Sequence, residues 1–230
     1  MFSGPTASFA DILAAIVYSA NIGADAANLS LGAYPIPRQG FRSFYGKVLN
    51  STMTYANKEG TLLVVAAGND TADLQGDKNL ISLPNEGAQG VSVAATGPVG
   101  YGWGDDGLED TFVSPTFYTN YGTNAITIGA PGGDADREAA ANEVPNWFYD
   151  LVYNTVFSVK DGNQVPGYGW KAGTSMAAPQ VTGAAALVKS ENDGYNANQV
   201  ESSLKRAASV PDDYDKAYYG SGFLDIVDAL

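Results

Sequence analysis

The sequence predicts one α/β domain over residues 1–230, built on a mostly parallel β-sheet with helices on both faces. Three short apolar runs, TLLVVAAGND, GVSVAAT and NAITIGAPG, show no polar alternation, which is typical of parallel strands buried on both faces. Segments of helical periodicity alternate with these runs, so we expect βαβ units. In sheets of this kind ligands bind beyond the carboxyl ends of the strands, and we look for chemistry there.

The first elements are predicted to be a helix, a strand and a second helix. Ser8 followed by Asp11 resembles a capping box, and apolar residues at helical spacing extend from about residue 9 to 20. The run AANLSLG predicts a strand, and the Pro-rich YPIPRQG after it predicts a loop. A second helix is expected over residues 41–58. Its inward side chains are expected to be Phe44, Val48, Met53 and Ala56.

The last third of the chain predicts a buried helix followed by an amphipathic one. The buried helix begins near residue 174, and the second spans residues 197–208. A short terminal helix follows. The buried side chains are expected to be Val181, Ala184, Ala185, Leu187 and Val188 in the first helix, and Val200, Leu204 and Ala207 in the second.

Two segments are predicted to be surface-loop insertions. Residues 97–122 and 132–154 are rich in glycine, aromatic residues and acids. Their acids could supply oxygen ligands to a structural calcium ion, although neither cluster has EF-hand spacing, and solvated loop acids are the competing interpretation. The acids in question are Asp105, Asp106, Glu109, Asp110, Asp134, Asp136 and Glu138.

The composition excludes several partners and chemistries. Lys and Arg number 12 against 25 Asp and Glu, a net charge of -13, so we expect no binding to nucleic acid or to anionic membranes. No cysteine is present, which rules out disulfides, thiolate metal sites and a cysteine nucleophile within these residues. The N-terminus lacks the pattern of a signal peptide, and the apolar runs are too short to span a bilayer.

The stretch GTSMAAPQVTG predicts a nucleophile at Ser175. A serine at the start of a buried helix has a free backbone N–H, and the helix macrodipole favours negative charge at that position. An oxyanion formed by attack on a carbonyl would be stabilised there. A lone Gly-Thr-Ser is also typical of an unreactive helix cap, so this motif alone leaves both interpretations open.

Two strand ends supply possible partners for Ser175. Asn69, in AAGND, places an amide donor at the carboxyl edge of the sheet, where a second oxyanion donor would be needed. By itself, an Asn at a strand end is usually a turn residue. The backbone of Ser30, Leu31 and Gly32, in LSLG, offers an extended edge against which a peptide could pair as an added strand.

The order SLG, AAGN, APG and GTSMAAP resembles that of the subtilisin-like serine proteases. The similarity covers nearly the whole chain, including TNYG and the terminal GSGFLD. It implies a subtilisin-like three-layer fold and a serine endopeptidase that needs no cofactor for its chemistry. It also implies Ser175 as nucleophile and Asn69 as the side-chain oxyanion donor. The substrate-binding residues it implies are Ser30, Leu31, Gly32, Ala66, Ala67, Gly68 and Thr174.

The sequence departs from this family in two ways. Gln180 stands where the family usually has a histidine outside the triad, and the 230 residues contain no histidine at all. The family's Asp motif and its His-Gly-x-His motif lie upstream of a segment that resembles residues 1–32. We therefore expect the N-terminal part of the fold to be missing and the catalytic His and Asp to come from an N-terminal segment or a second chain.

Because histidine is missing, this chain alone is expected to be nearly inactive. The full-length protein is expected to be secreted.

Several alternatives to an external histidine are open. Lys171 is more simply a solvated lysine than a base. The sedolisins use Glu and Asp with a similar serine motif, but they place an Asp in the oxyanion hole. A non-catalytic peptide-binding module, or pseudoprotease, is the rival outside the enzyme class.

Overall fold

The computed structural model describes residues 7–40, 43–76, 78–100, 113–160 and 162–230. The helices are α1 Phe9–Asn21, α2 Ser43–Lys58, α3 Arg137–Ala141, α4 Thr174–Glu191, α5 Ala197–Ala207, α6 Lys216–Tyr219 and α7 Ile226–Ala229. The strands are β1 Ala26–Leu29, β2 Ala33–Pro37, β3 Leu62–Ala66, β4 Leu80–Leu83, β5 Val91–Thr96, β6 Ile128–Pro131, β7 Val152–Lys160 and β8 Asn163–Lys171.

The central sheet has the strand order β1-β3-β5-β6, and every neighbouring pair is parallel. The prediction of a parallel α/β sheet is therefore confirmed. Because parallel strands end at the same edge, the residues after β1, β3 and β6 meet there. Two smaller antiparallel pairs, β2 with β4 and β7 with β8, lie outside this sheet.

Helices cover both faces of the sheet, which explains why its strands lack polar alternation. Successive side chains of a strand point to opposite faces. Leu63 and Val65 pack with the helices α1 and α2, whereas Leu62 and Val64 pack with α4 and α5. All four side chains are 0–1% exposed. Burial on both faces therefore demands an unbroken apolar run.

The start of α1 follows the predicted cap. The Ser8 hydroxyl accepts a hydrogen bond from the backbone N–H of Asp11 at 3.1 Å, which satisfies one free donor of the first turn. Gly23, with φ +72°, lies just beyond the helix in the left-handed region that favours glycine. Among the described residues, no helix is both long and apolar enough to cross a membrane.

The inward faces of α2 and α4 differ from the prediction at two positions. Phe44 is 55% exposed, because the buried stripe of α2 consists of Leu49, Met53 and Ala56, the last two as predicted, and does not reach the first turn. Leu187 is 47% exposed, since the stripe of Val181, Ala184, Ala185 and Val188 faces the sheet and leaves Leu187 outside it. Both expectations were wrong.

The predicted loop after β1 is also partly wrong. The strand in AANLSLG ends at Leu29, and residues 33–37, expected as loop, form β2. This strand pairs with β4, where Ile36 lies opposite Ile81. A distant partner supplies the hydrogen bonds that the Pro-rich sequence alone did not indicate.

The two predicted surface loops contain buried polar residues. Thr119 and Asn120 are 0–1% exposed, and Asp134 and Asp150 are 2–4% exposed. Residues 101–112, with the first acidic cluster, lie outside the described residues. Residues 152–154 begin the β7–β8 hairpin, which the sequence analysis did not predict.

Asp134 is an ionisable group in an unfavourable place for charge. Its carboxylate accepts a hydrogen bond from the N–H of Ala135 at 2.7 Å. Burial, and to a lesser extent the nearby carboxylates of Asp150 and Asp136, raise the pKa of Asp134 from 3.8 to about 6. The folded state therefore holds this proton more tightly than the unfolded chain does.

We predict that Asp134 makes stability fall as pH rises. Its contribution is complete below about pH 4 and is lost as the pH rises through about 6, because ionisation is disfavoured only in the folded state. Relative to Asp134→Asn, the wild type should lose up to about 3 kcal/mol of unfolding free energy over this range. Urea titrations across pH would measure the difference, and a difference independent of pH would contradict the prediction.

Candidate active site

Ser175 lies in the first turn of α4, at the carboxyl edge of the sheet. Two neighbouring backbone donors of this turn are already engaged: Thr174 N–H donates to Asn69 Oδ1 at 2.9 Å, and Met176 N–H donates to the Gly173 carbonyl at 2.9 Å. The N–H of Ser175 has no acceptor among the described residues. It is therefore available to an anionic oxygen at the positive end of an 18-residue helix.

Thr174 fixes the orientation of the Asn69 amide. The backbone N–H and the hydroxyl of Thr174 both donate to Asn69 Oδ1, each at 2.9 Å. The same hydroxyl accepts from the Gly68 N–H at 3.1 Å. Thr174 is fully buried, so these bonds are shielded from water. With Oδ1 engaged, the Nδ2 of Asn69 is the part of the amide left to donate.

The two predicted oxyanion donors converge on the same small space. A Cβ placed on Gly173 would lie 3.6 Å from Asn69 Nδ2 and 3.7 Å from the Ser175 nitrogen. Gly173 has φ +149°, a conformation that side chains rarely adopt. Glycine at this position thus keeps open the volume between the two donors.

A cleft of about 400 Å³ lies in front of these donors. Eight of the nine predicted site residues line it: Leu31, Gly32, Ala66, Ala67, Gly68, Asn69, Thr174 and Ser175. Its volume is at the small end of the range for ligand pockets. The structure therefore places residues from the ends of β1 and β3 and the start of α4 around one concave surface.

Ser30 is the predicted site residue that does not line the cleft. Its hydroxyl donates to the Ser175 carbonyl at 2.8 Å and accepts from Asn28 Nδ2 at 2.9 Å. This side chain therefore ties the segment after β1 to the first turn of α4.

The sequence analysis missed Tyr34, Ile36, Asp70 and Ser82, which also line the cleft. Because β3 ends at Ala66, Asn69 and Asp70 belong to a loop and do not follow the alternation of a strand, and both line the cleft. Asp70 is the only charged side chain among the described residues that line the cleft.

The loop after β6 forms the support behind Gly173. The Gly173 N–H donates to the Gly132 carbonyl at 3.0 Å, and the Tyr118 hydroxyl donates to the same carbonyl at 3.2 Å and to that of Gly133. Burial raises the pKa of Tyr118, so its phenol stays protonated and able to donate. The Nε2 of Gln180 donates to the Pro131 carbonyl at 2.5 Å, joining α4 to β6.

Among the described residues, Asp70 is the one carboxylate that lines the cleft with Ser175, and its Oδ2 accepts a hydrogen bond from Asn120 Nδ2. Lys171 is exposed at the end of β8. Within the described ranges, no three acidic or other metal-ligating side chains converge. The carboxylate of Asp136 caps α3 by accepting from the N–H groups of Glu138 and Ala139. Structural calcium stays a prediction, and the first acidic cluster lies outside the described residues.

Comparisons with known proteins agree on one family. The subtilase family profile matches residues 1–222. The epidermin leader peptide-processing serine protease EpiP of Staphylococcus epidermidis is 28% identical over 234 residues, covering 94% of this chain and 48% of EpiP. Subtilisin Savinase of Lederbergia lenta is 28% identical over 218 residues, covering 95% of this chain and 61% of Savinase. The chain thus spans about half the length of these curated relatives.

A solved structure shares the fold as well as the sequence. The crystal structure of a lanthipeptide protease superposes with a TM-score of 0.79 at 26% identity, covering 96% of this chain and 66% of that one. The superposition therefore includes nearly all of this chain. A matched profile over almost the whole chain, together with this shared fold, makes the protein a member of the subtilase family.

Proposed function

We propose that this chain supplies the nucleophile, the oxyanion hole and the substrate cleft of a serine endopeptidase. The observation that carries the proposal is the convergence of Asn69 Nδ2 and the Ser175 N–H on the space beside Gly173. Two donors that meet at one point next to a serine suit a tetrahedral intermediate better than a ground-state carbonyl. Family membership supports the same reaction class.

In the proposed reaction, Ser175 Oγ attacks the carbonyl carbon of a peptide bond and its proton passes to a base. The carbonyl oxygen becomes an oxyanion, which accepts hydrogen bonds from Asn69 Nδ2 and the Ser175 N–H. The C–N bond then breaks, the departing amine takes the proton, and the acyl group remains on Ser175. Water, activated by the same base, releases the acyl group and restores the serine.

The base is proposed to be a histidine oriented by an aspartate, both outside these 230 residues. The chain contains no histidine, and its relatives are longer than the part that aligns. In subtilisin, loss of the triad leaves only about 10³–10⁴-fold acceleration over water, from the oxyanion hole and binding. We therefore expect this chain alone to be nearly inactive.

The proposed substrate is a polypeptide bound in extended form along Ser30, Leu31 and Gly32, with Ala66, Ala67 and Gly68 as a pocket wall. EpiP is described as processing a leader peptide, which supports peptide substrates in general. Secretion of the full-length protein remains our proposal.

The absence of histidine favours a second candidate, a peptide-binding module that does no chemistry. It would use the same cleft and would need neither the Ser175 hydroxyl nor the Asn69 amide. The two candidates therefore differ in how the protein treats reagents directed at Ser175.

We predict that a fluorophosphonate probe labels this purified chain slowly, because no base activates Ser175. Ser175→Ala is the control, and mass spectrometry would locate the adduct. Addition of the upstream region that carries an Asp and a His-Gly-x-His motif should raise the labelling rate at Ser175 sharply.

Rapid labelling of the isolated chain would contradict an external base and point to a proton acceptor within these residues. Unchanged slow labelling after the upstream region is restored would favour the peptide-binding module.

We also predict that Thr174→Val weakens binding of tetrahedral ligands. The comparison is between a peptide boronic acid, which forms a tetrahedral adduct with a serine, and the same peptide as a C-terminal amide. Loss of the hydroxyl removes one of the two hydrogen bonds that orient the Asn69 amide and leaves the Gly68 N–H without its acceptor. The preference for the boronate is the dissociation constant of the peptide amide divided by that of the boronate. This ratio should fall about tenfold in Thr174→Val and about 10²–10³-fold in Asn69→Ala.

Thr52→Val is the matched control. Thr52 lies in α2, donates to the Val48 carbonyl at 3.0 Å and is not one of the residues that line the cleft. Its boronate preference should equal that of the wild type. An equal loss in Thr52→Val and Thr174→Val would contradict the role assigned to the Thr174 hydroxyl.

A further inference from the structure

We infer that Asn120 is a positioning residue, which holds the loop of residues 67–72 so that Asn69 presents its amide to the oxyanion. This inference rests on the proposed function. Asn120 comes from the segment between β5 and β6, about fifty residues beyond the loop it contacts. The loop itself follows β3 and carries both Asn69 and Asp70.

Within the described part of the chain, every hydrogen bond of the Asn120 side chain goes to this loop. Its Oδ1 accepts from the N–H groups of Asp70 at 2.9 Å and Ala72 at 3.0 Å. Its Nδ2 donates to the Ala67 carbonyl at 3.0 Å and to Asp70 Oδ2 at 3.2 Å. Two donors and two acceptor positions are all that an amide offers, so its capacity is filled. Asn120 is 0% exposed, so water cannot replace these bonds.

These contacts lie on both sides of Asn69 along the chain. The Asn120 backbone N–H also donates to the Gly68 carbonyl at 3.0 Å. The peptide groups before and after Asn69 are therefore held by Asn120, whereas its side chain is held by Thr174. The Asn69 amide is fixed from two directions by residues from separate parts of the chain.

The loop needs such support because its backbone is strained. Gly68 has φ +104°, and Thr71, which is not glycine, has φ +53°. Left-handed conformations at non-glycine residues persist only where the surroundings fix them. A Cβ on Gly68 would lie 2.3 Å from Asn120 Nδ2, so the amide packs directly against the bare face of this glycine.

No other side chain can make the same set of bonds. Aspartate has the same shape but, when ionised, cannot donate, so it would face the Ala67 carbonyl and the Asp70 carboxylate with negative charge. An apolar side chain would leave two partly buried backbone N–H groups without their acceptor. An amide of this length is what the loop requires.

The test compares Asn120→Asp with the wild type in the peptide boronate and peptide amide assay. The loop should shift and misdirect the Asn69 amide, so the preference for the boronate should fall about 10- to 100-fold. Binding of the peptide amide should change less, because it also uses the cleft edge at residues 30–32, which lies outside the loop that Asn120 holds. A purely structural role would weaken both ligands together.

A control and a rescue variant keep the test decisive. Asn85→Asp also alters a buried amide, whose Oδ1 accepts from Ser92, but it should lower stability without changing the boronate preference. Adding Asp70→Asn to Asn120→Asp replaces two opposed carboxylates by an amide–carboxylate pair and should recover part of the preference. If Asn120→Asp does not fold, the double variant and Asn120→Ser are compared with Asn85→Asp instead.

An unchanged boronate preference in folded Asn120 variants would overturn the inference while leaving the proposed function intact. An equal loss in Asn85→Asp would overturn it too. If the wild type itself shows no boronate preference and matches Ser175→Ala, the proposed oxyanion hole fails and the positioning role fails with it. A selective loss restored in part by Asp70→Asn would support the role of Asn120.

Discussion

Two hydrogen bonds from Thr174 to Asn69 Oδ1 join the start of α4 to the loop after β3, and the geometry of the candidate site depends on them. The backbone N–H and the side-chain hydroxyl of the buried Thr174 both donate to this one oxygen. These bonds orient the Asn69 amide, whose nitrogen lies 3.6 Å from the position that a Cβ on Gly173 would take. Without this link, the helix terminus and the strand end would be two unrelated surface features. The proposed oxyanion hole would then need no rearrangement when charge develops.

The parallel sheet brings these parts together. Because β1, β3 and β6 all run in the same direction, their carboxyl ends deliver Ser30, Asn69 and Gly132 to the same edge. The helix α4 packs against all four strands of the sheet and begins at that edge. The Ser30–Ser175 and Gly173–Gly132 hydrogen bonds then tie the helix terminus to strands on either side. Hydrophobic packing stabilises the sheet and its helices, and a few buried hydrogen bonds position the residues of the site.

Buried polar groups do much of this positioning. Asn120, Thr174 and Tyr118 are nearly or fully buried, and each bonds to the backbone of a loop that borders the cleft. Unsatisfied groups in such places are costly, so each bond also discourages alternative loop conformations. Asp134 illustrates the opposite effect, since burial raises the pKa of its carboxyl and makes its ionisation unfavourable. The acidic composition of the chain thus contributes an internal pH dependence as well as surface charge.

The sequence by itself determined the buried strands, the main helices, the cap at Ser8 and the cluster of Ser175 and Asn69, because local periodicity and short motifs encode burial and helix ends. The β7–β8 hairpin went unpredicted although its paired residues lie only 3 to 19 positions apart. The sequence could not determine β2, the place of Asp70 in the cleft or the contacts of Asn120. Those depend on partners 43 to 106 residues away, as with Pro37 and Leu80 or Gly68 and Thr174. Only the tertiary structure decided them, because a hydrogen bond between distant residues follows from the path of the whole chain.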